Sequence, residues 1–144
     1  MLSQLTPKCP TYLLHKAQAL PAMTTAVVNA GSVLALESAQ LAHDAGIIVP
    51  VLVGDPTLIN KAAQTLGWNI AEFELVPANG EADAAAKAVA CVHQGKAQLL
   101  MKGDLHTDVL IRALLNREMG LRTGERLSHF FHMTVPNSER VLCI

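Results

Sequence analysis

The residues of this chain best suited to chemistry gather between Leu99 and Arg112, in the run Leu-Leu-Met-Lys-Gly-Asp-Leu-His-Thr-Asp-Val-Leu-Ile-Arg. Lys102, His106 and Thr107 sit in a turn opened by Gly103, and Arg112 follows further along. Lysine offers an oxyanion a compact charge, and arginine offers it a planar fork. A buried strand that turns through glycine into a helix adds backbone N–H groups and the positive end of a helix dipole at the same place. The chemistry implied is capture of phosphate or another oxyanion. The motif is short, so Lys102 and Gly103 read equally well as a surface lysine beside a turn glycine. Thr107 also reads as a plain helix N-cap, and Arg112 as a solvated helix residue.

A second polar run, Ser128-His-Phe-Phe-His132, points less clearly to a site. On a strand His129 and His132 fall on opposite faces, which argues against a shared metal. No carboxylate or cysteine stands beside them at ligand spacing. The Gly-x-Ser-x-Gly turn of a hydrolase nucleophile is missing. So is the glycine fingerprint of dinucleotide folds, because Asn29-Ala-Gly-Ser-Val-Leu34 carries a single glycine.

The elements that must position these residues can be read from pattern. Tyr12 to Leu20 predicts a short helix stopped before Pro21, after a flexible lead-in over residues 1–10. Thr24 to Asn29 predicts the first core strand. Ser32 predicts the N-cap of a helix that runs to Gly46. Ile47 to Val53 predicts a second strand. Asp55-Pro56 predicts the start of a helix ending near Gly67, since Asp caps and Pro is preset for the first helical position. Phe73 to Val76 predicts a third strand. Asn79-Gly80-Glu81 opens an Ala-rich helix with acids in its first turn and His93 and Lys96 near its end, and Cys91 within it reads as a small core residue. Gln98 to Met101 predicts a fourth strand and Thr107 to Glu118 the next helix. Phe130 to Val135 and Arg140 to Ile144 predict two more strands. Strands alternating with helices imply a three-layer α/β/α domain over residues 11–144 with a mainly parallel sheet. Ligands of such sheets sit at the carboxyl ends of the strands.

Composition agrees with a covered parallel sheet. Of the 144 residues 51% are hydrophobic, 16% charged and 3% aromatic, so the core is built of Ala, Val, Leu and Ile. A net charge of −1 gives no field that favours nucleic acid or an anionic membrane, and Trp68 with the few other aromatics forms no stacking platform for single strands. The longest apolar run, Ile47 to Val53, contains Pro50 and is too short to span a bilayer. The three cysteines, Cys9, Cys91 and Cys143, are odd in number and widely spaced, which predicts reduced thiols in a cytoplasmic protein.

Two stretches occurring in order carry a family resemblance. They are Met101-Lys-Gly-Asp-Leu-His-Thr-Asp108 with Arg112, and Gly120-Leu-Arg-Thr-Gly-Glu-Arg-Leu-Ser-His129 before an apolar strand. With support from Thr25 to Asn29 and Ile47 to Gly54, the chain resembles the phosphate acetyltransferase and phosphate butyryltransferase family from about Leu13 onward. It is most similar to the shorter, butyryltransferase-like members. The resemblance implies reversible acyl transfer between coenzyme A and inorganic phosphate, with no metal or nicotinamide cofactor. It also implies a cytoplasmic homodimer and a fold similar to one domain of isocitrate and isopropylmalate dehydrogenases. Lys102, Gly103, His106 and Thr107 would line the cleft, Arg112 would neutralise phosphate, and Ser128 matches a small hydroxyl residue nearby. Family members continue beyond the strand matching Arg140 to Ile144 into an acid-bearing loop and a second domain. The expectation is therefore an N-terminal domain truncated before that second one, with bare apolar surface that favours self-association. No residue is assigned as the catalytic base. The alternative expectation is a non-catalytic α/β fragment that binds an anion or forms an interaction surface. A decarboxylating dehydrogenase domain is disfavoured, because the chain has no acid cluster for a metal.

Overall fold

The computed structural model describes residues 9–128, 130–134 and 141–144. After a short helix α1 (Thr11–Gln18), strands and helices alternate: β1 (Met23–Val28), α2 (Val33–Asp44), β2 (Ile48–Gly54), α3 (Pro56–Leu66), β3 (Leu75–Pro77), α4 (Gly80–His93), β4 (Leu99–Lys102) and α5 (Thr107–Leu114). The four strands form one parallel sheet in the order β3-β2-β1-β4. Two late strands, β5 (His132–Thr134) and β6 (Val141–Cys143), do not join it; they pair with each other, antiparallel.

Alternation along the strands sorts the core into two layers. Ala26 and Val28 of β1 lie beside Val51 and Val53 of β2, and all four face the Ala84, Ala85 and Ala88 side of α4 together with Leu110 of α5. Val27 and Leu52 point the other way, onto Leu36 and Ala39 of α2 and Ile59, Ala62 and Ala63 of α3. Helices cover both faces, so the central strands read as continuous apolar runs. The alanines let the helices approach the sheet closely, and Cys91 is buried in the same layer. Pro50 is tolerated in a central strand for a local reason. The Leu52 N–H reaches the Glu74 carbonyl on the β3 side, and two residues earlier β3 has not yet begun. The N–H that Pro50 lacks would have had no ladder partner there.

Several helix boundaries follow the expected capping chemistry, and the end of α5 and the start of β3 depart from expectation. Ser32 Oγ accepts from the Ala35 N–H, and Asp55 Oδ1 accepts from the N–H groups of Thr57 and Leu58, with Pro56 at the first helical position. Gly67 ends α3 at φ 64°, and Gly46 follows α2 at φ 72°. One exception is α5, which stops at Leu114 instead of Glu118. Asn116 Oδ1 accepts from the N–H groups of Glu118 and Met119, and this local turn displaces further helix. The other is the third strand, which starts at Leu75 instead of Phe73. The Phe73 ring packs at 4.9 Å from His43 and 5.2 Å from Trp68, and its N–H closes a turn onto the Ile70 carbonyl. Among the described residues no helix is long and apolar enough to cross a membrane.

Candidate functional site

The sheet order places a reversal at β1. From β1 the chain moves to β2 and β3 with α2 and α3 on one face, then crosses by α4 on the other face to β4 on the far side of β1. The carboxyl ends of β1 and β4 therefore flank a topological switch point, where α/β sheets bind ligands. The two ends are stitched together there. Gly103 N–H donates to the Val28 carbonyl at 3.0 Å, and Asp104 N–H donates to the Asn29 carbonyl at 3.1 Å. The Asn29 side-chain amide returns a hydrogen bond to the Asp104 carbonyl. Asn29 takes a left-handed conformation, φ 56°, in order to make this turn. A Cβ on residue 103 would lie 2.4 Å from the Val28 carbonyl oxygen, so the close approach requires glycine. Beside the stitch, Ser32, Ala35, Ser38, Lys102, Gly103 and Asp104 help to line an open hollow of ≈ 190 Å³.

Glu81, in the first turn of α4, reaches across to the start of α5. Its Oε2 accepts the His106 backbone N–H at 2.8 Å, and both its oxygens lie 2.9 Å from His106 Nδ1. The backbone hydrogen bond from His106, and after it the ring hydrogen bond, hold the Glu81 carboxyl below its ordinary pKa. In return the Glu81 hydrogen bond raises the His106 pKa, with Asp108 adding in the same direction and the Lys102 charge opposing. Lys102 thus lies close enough to act on both partners. Its own Nζ meets only the Gly103 carbonyl, at 3.4 Å, and no described carboxylate pairs with it.

These contacts correct part of the sequence reading. The N-cap of α5 is His106, not Thr107; its side chain makes no cap hydrogen bond, and its own N–H donates to Glu81 of another helix. The backbone N–H groups of Gly103, Asp104 and His106 are engaged with protein acceptors and are not offered to an oxyanion. Lys102 and His106 are brought together. Arg112 lies a turn along α5, 81% exposed, with its guanidinium 3.3 Å from Asp108. Ser128 is exposed, and no described hydrogen bond links it to the Lys102 turn. His132 Nε2 meets the Tyr12 hydroxyl at 3.1 Å, while His129 lies outside the described residues. The sequence pattern presents Glu81 only as an acid matched to its own helix dipole. Its position in the first turn of a helix that starts at the carboxyl edge of the sheet was the available signal for more.

No protein-family model matches the chain. Among curated proteins it is 36% identical over 132 residues to the phosphate acetyltransferase of Rhizobium meliloti, covering 92% of this chain and 42% of that protein. It is 38% identical over 107 residues to the phosphate butyryltransferase of Clostridium acetobutylicum, covering 74% of this chain and 36% of that protein. The chain thus spans less than half the length of the curated relatives it matches. Among solved structures, the EutD phosphotransacetylase from Staphylococcus aureus superposes with a TM-score of 0.67 at 18% identity, covering 91% of this chain and 49% of the other. A branched-chain phosphotransacylase from Enterococcus faecalis gives 0.62 at 21% identity, covering 84% and 41%.

Proposed function

This chain belongs with the phosphate acetyl- and butyryltransferases, being 36% identical to one of them over 92% of its own length and 42% of that relative's, and we propose that it supplies the phosphate-binding portion of a phosphate acyltransferase. The substrates of this reading are inorganic phosphate and an acyl-coenzyme A. A phosphate oxygen attacks the thioester carbonyl, the new C–O bond forms as the C–S bond breaks, and the sulfur leaves with the electron pair as coenzyme A thiolate. The observation that carries the reading is the placing of Lys102 and His106 at the switch point of the sheet, on a turn fixed by Gly103. Held there, phosphate is oriented for attack, and the same side chains stabilise the oxyanion that develops. Thr107 offers a hydroxyl at the start of α5. Arg112 and Ser128 enter the site in this reading only by rearrangement, Arg112 by leaving Asp108. The reaction needs no metal or nicotinamide. The reading includes a cytoplasmic location and self-association, for which exposed Met119, Leu127, Phe130 and Ile144 supply apolar surface.

A second reading, an anion-binding module without turnover, rests on the same turn, where Lys102 Nζ has no described carboxylate partner. Thiol release from acetyl- and butyryl-coenzyme A, with and without phosphate, separates the two. Phosphate-dependent release abolished by Lys102→Ala supports the acyltransferase. Phosphate binding without release supports the module. Absence of both removes the oxyanion site.

A further inference from the structure

Glu81 accepts the His106 backbone N–H at the amino end of α5, and in doing so it fixes the neighbouring imidazole. His106 Nδ1 lies 2.9 Å from both carboxylate oxygens, so Nδ1 carries a proton in either charge state of the ring. Among the described residues no hydrogen bond engages Nε2, and the His106 side chain is 79% exposed. The Glu81 side chain is 33% exposed, which makes it the more enclosed partner. We propose that Glu81 is a positioning residue that turns His106 into a pH-dependent oxyanion clamp, presenting Nε2 to a phosphate group at the turn between β4 and α5. The inference rests on the proposed oxyanion site and adds to it a residue and a protonation state.

The chemistry follows from the tautomer. With Nδ1–H held by Glu81, the charged ring presents Nε2–H, a donor to phosphate, whereas the neutral ring presents an Nε2 lone pair that repels it. The charged groups acting on His106 from the surrounding elements are Glu81 on α4, Lys102 on β4 and Asp108 on α5. The two acids favour the imidazolium and the lysine opposes it, with Glu81 the largest influence. Glu81 thereby keeps the clamp charged to a higher pH than a lone histidine would allow.

Sulfate is the probe, because its charge does not change over the range in which histidine titrates. Sulfate is titrated into the 144-residue chain between pH 5.5 and 8.5 while the His106 ring protons are followed by NMR. The expected result for Glu81→Gln, which keeps an acceptor for the His106 backbone N–H, is a lower His106 midpoint. Sulfate affinity should then fall roughly threefold or more at pH 7.5 while matching the parent chain at pH 5.5. His106→Gln should bind sulfate weakly and without pH dependence, and adding Glu81→Gln to it should change nothing further. An unmoved midpoint, or an equal loss of affinity at both pH values, overturns the inference. Should Glu81→Gln not fold, His106→Gln alone decides, because pH dependence that survives it is equally fatal. If the parent chain binds neither sulfate nor phosphate at any pH, the oxyanion site itself fails, whatever the His106 midpoint does. If it binds them with one pH profile in all variants, the oxyanion site stands and the roles of His106 and Glu81 both fail.

Discussion

At the amino end of α3, Asp55 Oδ1 accepts from the backbone N–H groups of Thr57 and Leu58, two and three residues on. At the amino end of α5 the acceptor is Glu81, twenty-five residues earlier and on another helix. Both carboxylates satisfy N–H groups that the helix geometry leaves without partners, and both sit at the positive end of a dipole. They differ in what else they hold. Asp55 stabilises the helix it begins. Glu81 joins the starts of α4 and α5 and is hydrogen-bonded to an imidazole whose pKa that contact raises. A cap supplied within its own turn is structural insurance for one helix, whereas a cap supplied from elsewhere couples the turn between β4 and α5 to the protonation of a side chain beside Lys102.

The coupling depends on the β4 end staying against the β1 end, so the largest effect is expected from Gly103→Ala. Its Cβ would meet the Val28 carbonyl oxygen at 2.4 Å and the Asn29 carbonyl oxygen at 2.9 Å, both backbone atoms that cannot turn aside. The expected cost is about 3 kcal/mol, at the upper end of overpacking, read as a lower midpoint in urea unfolding. The distant cap should be lost with it, and the local cap of α3 should not. A smaller effect, on binding alone, is expected from Lys102→Ala. Its side chain's only described hydrogen bond is the long one to Gly103, so the unfolding midpoint should stay in place. Phosphate affinity by calorimetry should drop about tenfold, equivalent to roughly 1.4 kcal/mol.

The same contrast separates what the residues announce from what they conceal. Ser32, Asp55-Pro56 and Gly67 declared their helix ends because each cap is completed within its own turn. The Val- and Ile-rich runs declared β1 and β2 because both of their faces are covered. The end of α5 was hidden, since the Asn116 turn competes with a helix that the apolar pattern would have continued to Glu118. The separate pairing of β5 with β6 was hidden as well, because strand propensity carries no partner. Within the site, Lys102, Gly103 and His106 could be named from a short motif. Glu81 could not, because its partner is fixed by the crossing of α4 from β3 to β4 and by no local spacing.

Asp55→Ala sharpens the comparison from the other side. Removing a local cap should cost about 1 kcal/mol, with the melting temperature lower by roughly 4 °C. That loss should be the same at pH 6 and pH 8.5, because no histidine is tied to Asp55 in the described structure.

Glu81→Gln should act in the opposite manner, with a small effect whose size depends on pH. His106 has its pKa raised above 6.5 in the folded chain. Its stabilising contribution is therefore fully present below 6.5 and is lost as pH rises through the raised value. Glu81 has its pKa lowered below 4.5, so its contribution is present above 4.5 and is lost as pH falls through the lowered value. The pair thus contributes most between 4.5 and 6.5 and declines on both sides. Asp83, held low by Lys87, adds to the acid side in parent and variant alike, so the alkaline side is the diagnostic one. The parent chain should melt higher at pH 6 than at pH 8.5, and Glu81→Gln should reduce that difference towards nothing while changing little at pH 8.5. An Asp55→Ala chain that keeps the full pH 6 to 8.5 difference, beside a Glu81→Gln chain that has lost it, would place the pH response of the fold in the contact between α4 and α5. Both variants keeping it would assign that response to another histidine and reduce Glu81 to a cap like Asp55.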